Sequence, residues 1–261
     1  MYFKEFLRVR NALVWYLVVL ALIGIVTSLI TMGSGEASIT VGAVPKHPVP
    51  KVEDLPWVAL FGFAGFFAAI MSTVFGSTLA QENRHLELAW TKPQSRTRYA
   101  TALMSIDALG LFIAQLAAFA LILGHIAVFH HGQIRVVARP DDTVNVVRFL
   151  LFPLAWYGII VAFSASLREG AGIVQALIWP IALGFTGLAE APLPAIWHRI
   201  FDGFNLINPL AYVTYHDPGP DVNVLTTAGF ANVILAVTVL GLIVVVSWFA
   251  ATYQWRRLQV Q

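Results

Sequence analysis

The stretch LVWYLVVLALIGIVTSLITM at residues 13–32 has twenty residues and no charged side chain. A helix of this length rises about 30 Å, which is the thickness of the hydrocarbon core of a bilayer. The run is too long for the apolar region of a cleaved signal peptide, and it carries no small-residue cleavage site. We therefore expect it to be a retained membrane span.

The composition of the whole chain extends this prediction. Of its 261 residues, 58% are hydrophobic and 11% are charged, whereas soluble domains usually have about 45–50% and about 25%. Runs long enough to span a bilayer as helices lie at residues 13–32, 56–79, 101–129, 147–167, 171–189 and 229–251. The sequence predicts an all-α polytopic membrane protein in which residues 1–261 form one transmembrane domain with six spans. The third helix is expected to tilt or project because of its length, and Pro180 is expected to kink the fifth.

The basic residues predict the orientation of the chain. Ten of the sixteen Lys and Arg residues lie in the N-terminal segment, the connector at 80–98, the short turn with Arg168 and the C-terminus. Because cytoplasmic loops are enriched in Lys and Arg, we expect both termini and this connector to be cytoplasmic. The predicted location is the cell inner (plasma) membrane. Topology accounts for the basic residues, so we expect the lipid bilayer, and no nucleic acid, as their partner.

Two flanking segments have recognisable patterns. The first fifteen residues, MYFKEFLRVRNALVW, carry apolar side chains at helical spacing and predict an amphipathic helix on the cytoplasmic leaflet that then turns into the first span. The outer segment at 190–228 includes LPAIWHRIFDGFNLINPLAYVTY, which is too apolar for a free loop. We expect it to form interfacial or re-entrant helices before the last span.

The connector between the second and third spans concentrates charge. The sequence LAQENRHLELAWTKPQSRTRY at residues 79–99 holds six charged side chains. Residues 81–91 favour a helix, and Pro93 ends it because the residue before a proline is pushed out of the helical region. One interpretation is a basic loop that only orients the protein. The other is a force-receiving element, since Glu82 and Glu87 add nothing to orientation and Trp90 is an unusual residue for a surface without a partner.

The same residues resemble a known family. FGSTLAQENRHLELAWTKPQSRTRYA is similar to the connector after the second span of type-2 ATP-binding-cassette (ABC) permeases of the exporter type. The matching residues are Glu82, Leu86, Leu88, Thr91, Lys92, Pro93, Ser95 and Arg96. The six-span plan, the N-terminal helix and the INPLAYV stretch at 207–213 resemble that family as well.

The resemblance implies that the connector is a coupling helix that docks on a separate ATPase subunit. The docking residues it implies are Glu82, Leu86, Glu87, Trp90, Pro93 and Arg96. Two ATPase subunits would face two permeases, either two copies of this chain or this chain and a paralogue. The cargo would be amphipathic, such as a drug, a lipid, a peptide or a glycan intermediate, and alternating access would move it.

This chain is not expected to be an enzyme. It lacks the GxxxxGK[ST] phosphate loop, so ATP and Mg would bind in the partner ATPase and no cofactor is expected here. An alternative function is an ATPase-independent membrane protein, such as a small secondary transporter or an assembly factor. Secondary transporters usually show repeats and ionisable groups at the midplane. A membrane enzyme is disfavoured because no catalytic set converges.

Several polar residues inside the predicted spans need an explanation. Asp107 is the one acid among them, and it is expected either to pair with a base, such as Arg98 or a residue of another helix, or to line a substrate path. Gln115 and Gln175 either form hydrogen bonds between helices, which is the favoured alternative, or line such a path. No metal site is expected, because the spacings among His125, His130 and His131 do not suit one and the chain has no Cys.

Small residues form a stripe along the second span. Gly65, Ala69, Ser72 and Gly76 recur at helical spacing and predict close helix packing. The packing partner is either a second subunit or another helix of the same chain, and the sequence leaves both alternatives open.

Overall fold

The computed structural model describes residues 2–33, 53–81, 96–129, 134–138, 142–164, 171–213 and 233–257. The elements in chain order are α1 (Tyr2–Gly33), β1 (Glu53–Pro56), α2 (Trp57–Gln81), α3 (Arg96–Phe129), β2 (Ile134–Val137), α4 (Asp142–Ser164), α5 (Ala171–Glu190), α6 (Ala195–Asn205), a 3₁₀ helix (Pro209–Tyr212) and α7 (Val233–Arg257). The described residues are mostly helical, as the sequence predicts.

Within the described residues, five helices are long and apolar enough to cross a membrane, namely α1, α2, α3, α4 and α7. The remaining predicted run, at 171–189, coincides with α5, whose apolar stretch Ala176–Leu188 is shorter. The third helix has 34 residues and rises about 51 Å, so it is longer than a span requires. These helices fit a multi-pass membrane protein.

The N-terminal segment differs from its prediction. The sequence predicts a surface helix that turns into the first span, but α1 continues without a break from Tyr2 to Gly33. No Gly or Pro occurs before Gly24 to interrupt the backbone hydrogen bonds. Phe3 and Phe6 are exposed at the start of this helix, whereas Val9 is buried in the core. The first turns of α1 are therefore a straight extension of the span.

Two short strands are a feature that the all-α prediction does not include. β1 and β2 pair in parallel, from Glu53 opposite Ile134 to Pro56 opposite Val137. β1 directly precedes α2 in the chain, and β2 follows α3. Their pairing therefore links the start of α2 to the end of α3.

Contacts along α2 and α4 show that these helices run in the same direction. Gly62 lies against the ring of Phe149 near the start of both helices, and Gly76 lies against Ile160 farther along. α4 packs extensively on both α2 and α7. The most buried side chains of α4 include Phe149, Phe152, Trp156, Tyr157 and Ile160. α4 is therefore the central helix of the described bundle.

The direction of α3 is opposite to that of α4, and α1 runs parallel to α3. Asp107 lies early in α3 and contacts Tyr157, which lies late in α4. Arg8, near the start of α1, contacts the same Asp107, and Ser28 near the end of α1 lies 3.4 Å from His125 near the end of α3.

The start of α1 and the end of α7 therefore lie at the same end of the bundle. Val9 of α1, Tyr157 of α4 and Trp255 of α7 belong to one core cluster. The last turns of α2 and the first turns of α3 reach this same end. We call it the connector end, because it holds the helix ends that flank residues 82–95.

The small-residue stripe of α2 packs within the chain. Ala69 and Ser72 have no exposed surface. A Cβ on Gly76 would lie 2.5 Å from Cγ2 of Ile160, and a Cβ on Gly65 would lie 3.1 Å from the carbonyl oxygen of Phe149. The stripe thus lets α2 approach α4 closely, which is the intramolecular alternative left open by the sequence.

Candidate functional site

A buried ion pair joins three helices near the connector end. Nη2 of Arg8 on α1 donates to Oδ1 of Asp107 on α3 at 2.6 Å. The hydroxyl of Tyr157 on α4 donates to Oδ2 of the same carboxylate at 2.8 Å. Asp107 has no exposed surface. Both carboxylate oxygens therefore have a donor, which a charge buried at this depth requires.

A second acid extends this site. Oε2 of Glu5 lies 2.9 Å from Nε of Arg8, one turn along α1. The guanidinium thus lies between two carboxylates, with only 16% of its side chain exposed. We call Glu5, Arg8, Asp107 and Tyr157 the Asp107 cluster. Arg8 attracts both carboxylates strongly because little solvent screens the charges, and it offsets the repulsion between Glu5 and Asp107.

A glycine lets α1 come close enough for this pairing. A Cβ on Gly110 would lie 2.6 Å from Cγ1 of Val9 and 3.0 Å from Cε2 of Phe75. Gly110 lies three residues after Asp107, and Val9 follows Arg8. The absence of a side chain at Gly110 therefore lets α1 and α2 pack against α3 beside the ion pair.

The partner of Asp107 in this structure is Arg8, a residue of another helix. The sequence pattern suggested Arg98 as an example of a partner, and Arg8 contributed only to the predicted orientation. Neither Glu5 nor Tyr157 stood out in the sequence as a member of a site. A usable signal for Tyr157 was its hydroxyl within an otherwise apolar span, since such a group needs a buried acceptor.

Gln115 forms a second polar contact among α2, α3 and α4. Its Nε2 donates to the carbonyl oxygen of Phe149 at 3.1 Å and to that of Phe61 at 3.4 Å. Gln115 has no exposed surface, and its Oε1 has no hydrogen-bond partner among the described residues. This amide therefore joins the backbones of two neighbouring helices.

The side chains of the other predicted site residues lie outside the part of the chain that the structure describes. Glu82, Leu86, Glu87, Trp90 and Pro93 lie outside the described residues, and so do the side chains of Arg96 and Gln175. Their interactions stay predictions. His125 is described and its Nδ1 lies 3.4 Å from Oγ of Ser28, while His130 and His131 are outside. No cluster of three or more potential metal-ligating residues occurs in the described ranges.

The outer segment folds back on α5. Asn208 caps the 3₁₀ helix by accepting from the backbone N–H of Leu210, while its Nδ2 donates to the carbonyl oxygen of Ala182 at 3.0 Å. The Tyr212 hydroxyl donates to the carbonyl oxygen of Leu206 at 2.9 Å. Burial raises the pKa of Tyr212, so this hydroxyl is a neutral donor. These bonds fix the 3₁₀ helix, within the INPLAYV stretch, against α5.

A cavity of about 400 Å³ lies between α2, α4, α5 and the 3₁₀ helix, and no residue of the Asp107 cluster lines it. Its lining residues are Ala59, Gly62, Phe63, Phe66, Phe149, Leu183, Thr186, Leu210 and Val213. The Thr186 hydroxyl is already engaged, because it donates to the carbonyl oxygen of Ala182 and accepts from Asn208. The cavity is therefore suited to an apolar group.

No protein-family model, curated protein or solved structure matches this chain. Its function must therefore be inferred from its own residues and their geometry.

Proposed function

We propose that the chain is the membrane-spanning permease subunit of an ATP-driven ABC exporter. It works with two ATPase subunits and with a second permease, either another copy or a paralogue. It moves an amphipathic substrate by alternating access. Residues 82–96 are the coupling element, and ATP hydrolysis takes place in the partner. The support for the docking role is the resemblance of the connector sequence to type-2 ABC permeases.

The observation that carries this proposal is the position of the Asp107 cluster. α3 begins at Arg96, immediately after residues 82–95, and Asp107 follows eleven residues later, about 16 Å along the helix. Through Asp107, α3 is bonded to α1 by Arg8 and to α4 by Tyr157. α3 has no proline and is expected to move as a rigid unit. A displacement of the connector would therefore move α3 together with α1 and with the part of α4 around Tyr157.

The direction of the helices supports six spans. α4 and α7 run in parallel, because Gly158 lies against Ser247, while Ala155, earlier in α4, shares a core cluster with Ala236, earlier in α7. Between the end of α4 and the start of α7, the chain has to return across the bundle. α5 has 20 residues, and a helix of that length spans the hydrocarbon core. We assign it as the fifth of six spans.

The basic residues support a cytoplasmic connector end. Lys4 and Arg10 are exposed at the start of α1, and Arg256 is exposed at the end of α7. Since Lys and Arg accumulate on the cytoplasmic side, the proposal assigns both termini and residues 82–95 to the cytoplasm. The membrane is the cell inner (plasma) membrane. The apolar cavity near the opposite end suits the apolar part of an amphipathic cargo.

An ATPase-independent transporter is the rival function. Ion-coupled carriers use ionisable groups at the midplane that gain and lose an ion or a proton. Asp107 is held by two donors, which fits a structural bond between helices better than an ion-binding group. The rival predicts that no ATPase subunit binds this chain.

The first test is genome context, since an ATPase gene beside this one supports the proposal. The second is co-purification with the ATPase so identified, followed by measurement of ATP turnover. Glu82→Ala and Trp90→Ala are expected to weaken the complex and lower turnover. The matched controls are Asp54→Ala in β1 and Trp15→Ala in α1, at exposed positions away from the connector. Complex formation and turnover that are unchanged by both connector variants would refute the docking role.

A further inference from the structure

Pro153 leaves one backbone carbonyl of α4 without its helical donor. It lies inside α4, and a proline has no N–H to donate to the carbonyl four residues earlier. That carbonyl belongs to Phe149, and the amide of Gln115 donates to it from α3 at 3.1 Å. Gln115 therefore replaces the hydrogen bond that Pro153 removes, as neighbouring helices do for prolines in membrane spans.

A glycine on α2 makes room for this replacement. A Cβ on Gly65 would lie 3.0 Å from Nε2 of Gln115 and 3.1 Å from the carbonyl oxygen of Phe149. The second acceptor, the carbonyl oxygen of Phe61, belongs to the same helix. Gly65, Gln115 and Pro153 thus form one interlocked arrangement at the contact of α2, α3 and α4.

α3 holds α4 on both sides of the proline, but with bonds of unequal strength. Tyr157, four residues after Pro153, is bonded to the carboxylate of Asp107 at 2.8 Å. Phe149, four residues before it, is bonded to the neutral amide of Gln115. A hydrogen bond to a charged group is roughly twice as strong as a neutral one. Of these two bonds from α3, the one before Pro153 is therefore the weaker.

The part of α4 before Pro153 carries a wall of the cavity. Phe149 lines the cavity, and its ring fills a notch at Gly62, where a Cβ would lie 2.7 Å from Cζ of the ring. A change of bend at Pro153 would move this ring relative to α2. We infer that α4 is hinged at Pro153, that Gln115 is the positioning residue that holds the hinge, and that the swing of Phe149 alters access to the cavity.

The hydrogen-bond part of this inference is tested by a double-mutant cycle on thermal stability in lipid or detergent. Gln115→Leu is expected to lower Tm by about 2–4 °C. In the Pro153→Ala background, α4 regains its own N–H donor. There, Gln115→Leu is expected to lower Tm by less than half of its effect in the native background. Pro180→Ala in α5 is the matched control and should leave the effect of Gln115→Leu unchanged.

Equal losses in the native and Pro153→Ala backgrounds would overturn the inference. If Gln115→Leu alone fails to insert or fold, the inference predicts that adding Pro153→Ala restores folding. A double variant that still fails to fold would also overturn the inference. Neither readout requires an ATPase partner, so this test is separate from that of the proposed function.

The hinge is tested by distances between spin labels. The chain contains no Cys, so Val147→Cys with Phe163→Cys labels α4 alone on either side of Pro153, at exposed positions. The pair is sixteen residues apart, about 24 Å along a helix. Phe112→Cys with Val128→Cys is the matched pair in α3, which has no proline.

We expect the distance distribution of the α4 pair to be broader than that of the α3 pair. Pro153→Ala should narrow the α4 distribution to the α3 width, and Gln115→Leu should broaden it. An α4 distribution as narrow as that of α3 in the native background, or one that Pro153→Ala leaves unchanged, would contradict the hinge.

Discussion

Arg8 and Asp107 are 99 residues apart in the chain, yet Nη2 of the first lies 2.6 Å from Oδ1 of the second. This contact fixes the first turns of α1 to the helix that leaves the connector. Tyr157 bonds to the other carboxylate oxygen, so one side chain joins three helices. Removal of a single partner from a buried pair leaves an uncompensated charge, which is strongly destabilising.

Asp107→Ala is expected to lower the free energy of unfolding by about 3–5 kcal/mol, because it leaves Arg8 buried beside Glu5 alone. Arg8→Ala is expected to have a comparable effect, and the double variant should lose less than the sum of the two. Thermal or denaturant unfolding of the purified protein measures all three. The control is Arg10→Ala, an exposed position on the same helix, with an effect within about 0.5 kcal/mol. Additive losses would argue against a direct pair.

Function should respond to the milder change Asp107→Asn. This variant keeps an acceptor for Tyr157 but loses the charge that holds Arg8. Reconstituted transport is expected to fall, or assembly with the ATPase to weaken, because α3 is no longer firmly bonded to α1. Native values for both transport and assembly would show that Asp107 is a tolerated polar residue with no functional role.

Tyr157→Phe removes only the hydroxyl that donates to Asp107. A hydrogen bond to a charged group contributes about 1.5–3 kcal/mol, so stability should drop by that order. Tyr16→Phe is the matched control, because the Tyr16 hydroxyl is buried without a hydrogen-bond partner among the described residues. Its loss should be neutral or slightly stabilising. Equal effects of the two variants would refute the assigned role of the Tyr157 hydroxyl.

Gly76→Ala tests the packing of α2 on α4. The added Cβ would lie 2.5 Å from Cγ2 of Ile160, and overpacking of this kind typically destabilises by about 1–3 kcal/mol. Gly241→Ala in α7 is the control, since no atom lies within 4 Å of a Cβ there. It should leave stability unchanged or raise it. A melting temperature unaffected by Gly76→Ala would mean that α2 and α4 are farther apart than described.

The helices were predictable because long apolar runs leave the backbone no alternative to internal hydrogen bonding in a membrane. Predicted and observed helices agree in position for most of the bundle, and the small stripe around Gly65 predicted close packing. The sequence did not decide which helix that stripe contacts, because a stripe of small residues is equally suited to contacts within and between subunits.

The partners of Asp107 and of the Phe149 carbonyl could not be predicted, and the reason is physical. A buried acid requires a base, but which base it meets depends on tertiary packing around Gly110. The i−4 rule identifies the carbonyl that Pro153 leaves open, yet the donor Gln115 comes from a different helix. The strands β1 and β2 are four residues each, and the described helices α2 and α3 separate them in the chain. Local sequence patterns do not predict pairing between such distant segments.

The most direct test of the account is photo-cross-linking in native membranes. A photoreactive amino acid replaces Trp90 in the connector, and a matched substitution replaces Trp197 in α6, which is exposed and far from the connector end. The account predicts a covalent adduct between position 90 and the ATPase subunit, and none from position 197. If position 90 forms no adduct, or if the ATPase is captured from position 197, the connector is not the docking element and the proposed function is wrong.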